Sequence, residues 1–165
     1  DVYKRQPWQF VLLGTGSHHL ESRCRDFSSL YRGRVSAVLK YDAALARRIY
    51  AGSDMILVPS RYEPCGLAQI IAMRYGTIPV VRATGGLKDT VPAYDGESGI
   101  GFLFEEASDD AFQKALRKAV AAYGESTLWR TLQKRAMAAD YSWERSAEQY
   151  RDLYYKVSQA REKSQ

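Results

Sequence analysis

The stretch Met55-Ile56-Leu57-Val58-Pro59-Ser60-Arg61-Tyr62-Glu63-Pro64-Cys65-Gly66-Leu67 decides the fold. Its four leading apolar residues lack polar alternation, the pattern of a strand buried on both faces, as in parallel sheets. Pro59 stops that strand, because proline has no N–H to give to a ladder. A polar loop follows, and residues 66–75 then carry a helical pattern. Strand, loop and helix in succession make the repeating unit of α/β folds. Ligands in such folds gather where the carboxyl ends of strands meet the amino ends of helices.

The same alternation extends in both directions. Upstream, Gln9-Phe10-Val11-Leu12-Leu13 reads as a buried strand running into the turn Gly14-Thr15-Gly16. Residues 19–31 carry Leu20, Cys24, Phe27 and Leu30 at helical spacing, with Gly33 as the closing C-cap. Residues 35–39 form the next strand, and Asp42 caps a helix through Tyr50 with Ala43, Ala46, Ile49 and Tyr50 on its apolar face. Downstream come a strand at residues 78–81, a Gly85-Gly86 turn and a strand at residues 101–104.

Three helices close the chain. Ser108 or Asp109 caps the first, with Phe112, Ala115, Leu116, Ala119 and Val120 facing inward; Leu128, Leu132 and Ala136 stripe the second. The third covers residues 143–157, with Ala147, Tyr150, Leu153, Tyr154 and Val157 on one face. The expected fold class is α/β, a Rossmann-like, doubly wound parallel sheet over residues 7–157, followed by a polar, frayed tail at residues 158–165.

Composition narrows the function. A chain of 165 residues with 45% hydrophobic content supports one compact domain. The 24 Lys and Arg against 19 Asp and Glu give a net charge of +5, but the basic residues are scattered, which suits an anionic small molecule better than nucleic acid. Cys24 and Cys65 form no CxxC pair, so a disulfide framework is not expected and a reducing cytoplasm fits. No apolar run is long enough for a membrane span. Residues 1–6, Asp1-Val2-Tyr3-Lys4-Arg5-Gln6, resemble a translated sequencing adapter and are set aside as a scar. On that reading the native sequence continues upstream of Pro7.

Two loops carry the candidate chemistry. Gly66, Leu67 and Ala68 open a helix whose N–H groups and positive dipole end suit a phosphate, and Glu63 stands beside them to accept hydrogen bonds from sugar hydroxyls. Spacing alone leaves open that Glu63 and Pro64 merely start the helix. Thr84-Gly85-Gly86-Leu87 again follows a strand, and paired glycines let backbone approach a ligand closely, although a plain tight turn uses the same residues.

Other chemistries fail on their residues. Gly14-x-Gly16 lacks the third glycine of a dinucleotide fingerprint, since His19 stands there, and Lys40 rather than an acid follows the next strand. His18 and His19 are adjacent rather than at metal-ligand spacing and read as a solvated loop, so no metal site is expected. There is no nucleophile elbow and no Walker loop. No histidine is placed by any signature to activate Cys65, for which packing is the simpler role.

Taken together, residues 58–67, Arg74-Tyr75-Gly76-Thr77 and Thr84-Gly85-Gly86-Leu87-Lys88-Asp89-Thr90-Val91 resemble, in order and spacing, the signature of bacterial-type glycogen and starch synthases. The likeness continues through Gly101-Phe102-Leu103-Phe104, Leu128-Trp129 and Tyr141-Ser142-Trp143. That family has two Rossmann-like domains facing a cleft (the GT-B arrangement), and this chain is similar to the C-terminal one.

The resemblance implies a retaining transfer of glucose from ADP-glucose to the non-reducing end of an α-1,4-glucan. It makes Glu63 the active-site carboxylate, places Cys65, Gly66, Leu67 and Ala68 around the glucose and diphosphate, puts Thr84, Gly85 and Gly86 beside the donor, and stacks Tyr41 on adenine. It implies no cofactor, a glucan held mainly by the other domain, and a cytoplasmic setting, or a plastid if the source is plant or algal.

Two positions depart from the wider pattern. Ala68 stands where the family usually has Thr or Ser, so one hydroxyl near the diphosphate is missing. Ile71 stands where broader relatives place a second Glu for the ribose, which favours the synthase branch. The family's diphosphate-binding Arg and Lys belong to a segment upstream of anything this sequence matches. Another nucleotide-sugar transferase of the same fold, or a non-catalytic nucleotide-sugar or glucan binding module, is the competing expectation. Glu63 separates them, because a pure nucleotide binder needs no carboxylate at the sugar.

Overall fold

The computed structural model describes residues 8–162. The adapter-like residues 1–6 lie outside that range. Elements follow in the order β1 (Phe10–Leu13), α1 (His18–Leu30), β2 (Val35–Val38), α2 (Ala43–Gly52), β3 (Met55–Val58), α3 (Ala68–Arg74), β4 (Ile78–Arg82), α4 (Gly86–Thr90), β5 (Phe102–Phe104), α5 (Asp109–Gly124), α6 (Ser126–Ala138) and α7 (Trp143–Glu162). Every strand pairs in parallel, as the α/β reading requires. The strands form two hydrogen-bonded sheets, β1-β2 and β3-β4-β5. The chain likewise divides into two compact units, residues 1–53 and 54–165.

In the first unit β1 and β2 pair in register from Phe10 with Val35 to Leu13 with Val38. Asp42 caps α2, its carboxylate accepting from the Leu45 N–H at 2.9 Å, and the Lys40 ammonium beside it holds that carboxyl below the usual range. His18 and His19 begin α1 rather than sitting in a loop. Ser17, extended at φ −66° and ψ 146°, sets the helix start, and Glu21 reaches back to the Gly16 N–H at 3.1 Å. The apolar stripe of α1 is not buried, with Leu20, Phe27 and Leu30 exposed at 56%, 48% and 73%. Helical periodicity defines a face, but two strands do not supply enough surface to cover it.

The second unit holds the core. β4 lies between β3 and β5, and Ile78, Val80 and Val81 are fully buried with Phe102 and Phe104 of β5 beside them. A proline inside a central strand normally breaks the ladder. Pro79 is tolerated because pairing with β5 begins only at Val80 with Phe102, so the missing N–H falls before that ladder starts. Ala115, Ala119, Trp129, Leu132 and Ala136 of α5 and α6 complete the core. Ser108 is the cap of α5, accepting from the Ala111 N–H at 3.3 Å.

The C-terminal boundary differs from expectation. The frayed tail is helical as far as Glu162, because Gln159, Ala160 and Arg161 are good helix formers and extend α7 without a break. The α7 stripe is exposed, Tyr150, Leu153, Tyr154 and Val157 all exceeding half exposure. Among the described residues no helix is long and apolar enough to cross a membrane.

Candidate functional site

The carboxyl ends of β3 and β4 are neighbours, so the loops leaving them must meet. The Gly86 N–H donates to the Glu63 carbonyl at 3.0 Å, stitching the second loop onto the first. The closeness of the two backbones demands glycine. A Cβ on Gly85, whose φ is +45°, would lie 2.1 Å from the Glu63 carbonyl oxygen, and one on Gly86 would lie 2.1 Å from that of Cys65. The paired glycines therefore serve loop-on-loop packing, a use the sequence did not specify. They also open a helical turn rather than a plain turn, Gly85 being the N-cap of α4. Five residues are too few to show a period, so α4 was invisible to pattern reading.

A steric conflict with backbone cannot be relieved by a rotamer change. Gly86→Ala is therefore expected to destabilise the second unit by about 1–3 kcal/mol or more, the scale of overpacking, and to separate the two loops. Urea unfolding of wild type and variant checks this, and equal midpoints would show that the loops part without cost.

The helix after the first loop starts later than its residues suggest. Gly66 has φ +72°, a conformation outside any right-handed helix, and α3 begins at Ala68 with Leu67 as N-cap. Beneath it Gln69 is fully buried. Its Nε2 donates to the carbonyls of Cys65 at 3.2 Å and Gly66 at 2.7 Å and to Thr90 Oγ1 at 3.0 Å, and Thr90 in turn donates to the Gly86 carbonyl at 2.5 Å. Gln69 and Thr90 thus brace the two loops from below. Neither was expected from sequence, although a glutamine in the Gln69, Ala72, Met73 inward stripe was the available signal.

Glu63 is half-buried, and Ser60 Oγ donates to its Oε2 at 3.4 Å. Cys65 and Leu67 are exposed, Gly66 and Ala68 half-buried, and Thr84 half-buried above exposed Gly85 and buried Gly86. The structure therefore brings Glu63, Cys65, Gly66, Leu67, Ala68, Thr84, Gly85 and Gly86 together within one unit. Tyr41 belongs to the other unit, where the residue is 90% exposed between Lys40 and the Asp42 cap. So exposed a residue does not pack as a hydrophobic staple on α2. Among the described residues no group of three His, Cys, Asp or Glu side chains is placed to hold a metal ion.

A carboxylate and a glycine-braced backbone thus stand together at two adjoining strand ends. Residues 2–137 match the family of glycosyl transferases group 1. The chain belongs to that family. It is 52% identical over 152 residues to the glycogen synthase of Thermotoga maritima, a match covering 90% of this chain and 31% of that protein. The catalytic domain of starch synthase IV from Arabidopsis thaliana, solved bound to ADP and acarbose, superposes with a TM-score of 0.79 at 40% identity, over 90% of this chain and 32% of that one. A sucrose-phosphate synthase from Thermosynechococcus elongatus gives 0.64 at 29% identity, over 92% and 39%. The Rossmann-like fold expected from the alternation is thus shared with GT-B glycosyltransferases. The chain spans about a third of the length of the curated relatives it matches.

Proposed function

We propose that this chain is the donor-binding domain of a retaining glucosyltransferase, which moves glucose from ADP-glucose to the non-reducing end of an α-1,4-glucan. The observation that carries the reading is the joint between the two strand-end loops, which sets Glu63 beside backbone able to face a sugar diphosphate. In this reading Glu63 receives the glucose hydroxyls. Cys65, Gly66, Leu67 and Ala68 line the glucose and diphosphate, while Thr84, Gly85 and Gly86 flank the donor. Departure of ADP is helped by N–H groups fixed in advance of the reaction. No metal or further cofactor is invoked, the glucan is held mainly by a domain outside this chain, and the setting is the cytoplasm.

Synthase chemistry is favoured over another sugar transfer because identity is 52% to a glycogen synthase and 40% to a starch synthase but 29% to a sucrose-phosphate synthase. The test is to splice the chain in place of the matching 152 residues of the Thermotoga maritima synthase and offer ADP-glucose and a glucan primer. Glucose incorporation supports the reading; a chimera that folds and binds ADP but incorporates nothing overturns it.

Tyr41 supplies an aromatic face for adenine, and its 90% exposure leaves that face open. Tyr41→Ala in the same chimera is expected to weaken ADP binding by roughly 1 to 3 kcal/mol, the scale of base stacking on an aromatic ring. Calorimetry with ADP measures it, and equal affinities would remove Tyr41 from the site.

A further inference from the structure

Arg82 is the last residue of β4, on the strand between β3 and β5, and ends an otherwise fully buried run. Its guanidinium makes an uncommon set of contacts. Nε donates to the Ser60 carbonyl at 2.7 Å, Nη2 to the Arg61 carbonyl, and Nη1 to the Glu105 carbonyl at 3.2 Å. Among the described residues Arg82 forms no ion pair, so its charged fork is used on backbone alone. The three carbonyls come from the segment after β3 and the segment after β5, one on each side of the strand that carries the arginine.

We infer that Arg82 is a positioning residue for Glu63, clamping the loop that carries it to the end of β4. Ser60 is the junction. Its carbonyl is held by Arg82, and its hydroxyl donates to Glu63 Oε2. From the other side the Gly86 N–H holds the Glu63 carbonyl. The loop backbone is thereby held at residues 60, 61 and 63, which sets where the Glu63 side chain starts.

A planar fork with separated N–H groups can reach three carbonyls at once, whereas a lysine ammonium is one compact point on a flexible stem. Arg82→Lys keeps the charge and the strand position but loses the geometry. The effect on catalysis rests on the reading of Glu63 given above; the clamp itself does not.

The experiment has one arm for each. In the 165-residue chain, the bond after Arg61 is a tryptic site whose carbonyl Arg82 holds. Arg82→Lys and Arg82→Gln are expected to speed cleavage there by about tenfold relative to cleavage in α7, with the melting temperature little changed, because local opening rather than global unfolding is released. Unchanged cleavage in both variants overturns the clamp.

In the synthase chimera, Arg82→Lys is expected to lower kcat by about a hundredfold with ADP affinity nearly intact, the scale of a misplaced reacting group. Combining it with Glu63→Gln should cost no more than Glu63→Gln alone, since the two act on one group. Losses that multiply would show that Arg82 acts elsewhere and overturn the assignment. A harmless Glu63→Gln would overturn the role of Glu63, while the cleavage arm still decides whether Arg82 holds the loop.

Discussion

In the synthase chimera Glu63→Ala should reduce turnover by about two to three orders of magnitude, the effect of removing one preorganised polar group from a reacting centre. ADP affinity should hardly move. What holds the loop in place is the Glu63 backbone carbonyl, bonded to the Gly86 N–H, together with the Arg82 contacts to Ser60 and Arg61; the substitution touches none of them. Among the described residues, the side-chain hydrogen bond lost is the long one from Ser60 Oγ, at 3.4 Å. The loss therefore belongs to kcat and not to nucleotide binding, a split that a general loosening of the site would not produce. Steady-state rates with ADP-glucose, paired with calorimetry for ADP, check both halves. Turnover close to wild type would remove Glu63 from the chemistry.

Much of the architecture could be read from residues because its signals are local. Pro59 ends β3, Asp42 and Ser108 cap their helices, and unbroken apolar runs mark parallel strands. The features that were missed depend on backbone conformation or on partners distant in sequence. The late start of α3 follows from Gly66 at φ +72° with Gln69 packed beneath it. The turn of α4 depends on Gly85 seated against the Glu63 carbonyl, 22 residues earlier. The exposed stripe of α1 shows the converse limit, since periodicity says which residues share a face but not whether anything covers it.

The site divides in the same way. Glu63 and the glycines entered the proposed site through a long motif in which each part is weak and the order is specific, and Tyr41 entered it through the family resemblance alone. Arg82 and Gln69 were not legible in the sequence. Each sits on an element whose neighbours are apolar, and its role appears only when β3 and β4 lie side by side. A polar residue at an otherwise buried position is the signal to look for, because burying such a group is costly unless it is hydrogen-bonded. Gln69 Nε2 shares its two hydrogens among three acceptors, and the Arg82 guanidinium donates to three carbonyls.

Taken by itself, the 165-residue chain is expected not to transfer glucose. In a doubly wound sheet of order 3-2-1-4-5-6 the first strand lies in the middle, and by family resemblance β1 here is the domain's second strand. Strands whose N–H and C=O groups lack a neighbour invite pairing with other chains, so self-association should accompany the loss of activity. The resemblance also assigns the diphosphate an Arg and a Lys from a segment this sequence does not match. A hydrogen bond to a charged group is worth about 1.5–3 kcal/mol, so lacking both costs about 3–6 kcal/mol, or about two to four orders of magnitude in donor affinity. The measurement is to purify the chain, supply ADP-glucose and a glucan primer, and count glucose in glucan beside the Thermotoga maritima synthase. Incorporation at a comparable rate would show that the two loops of the second unit suffice for transfer without the further segments that the longer relatives contain.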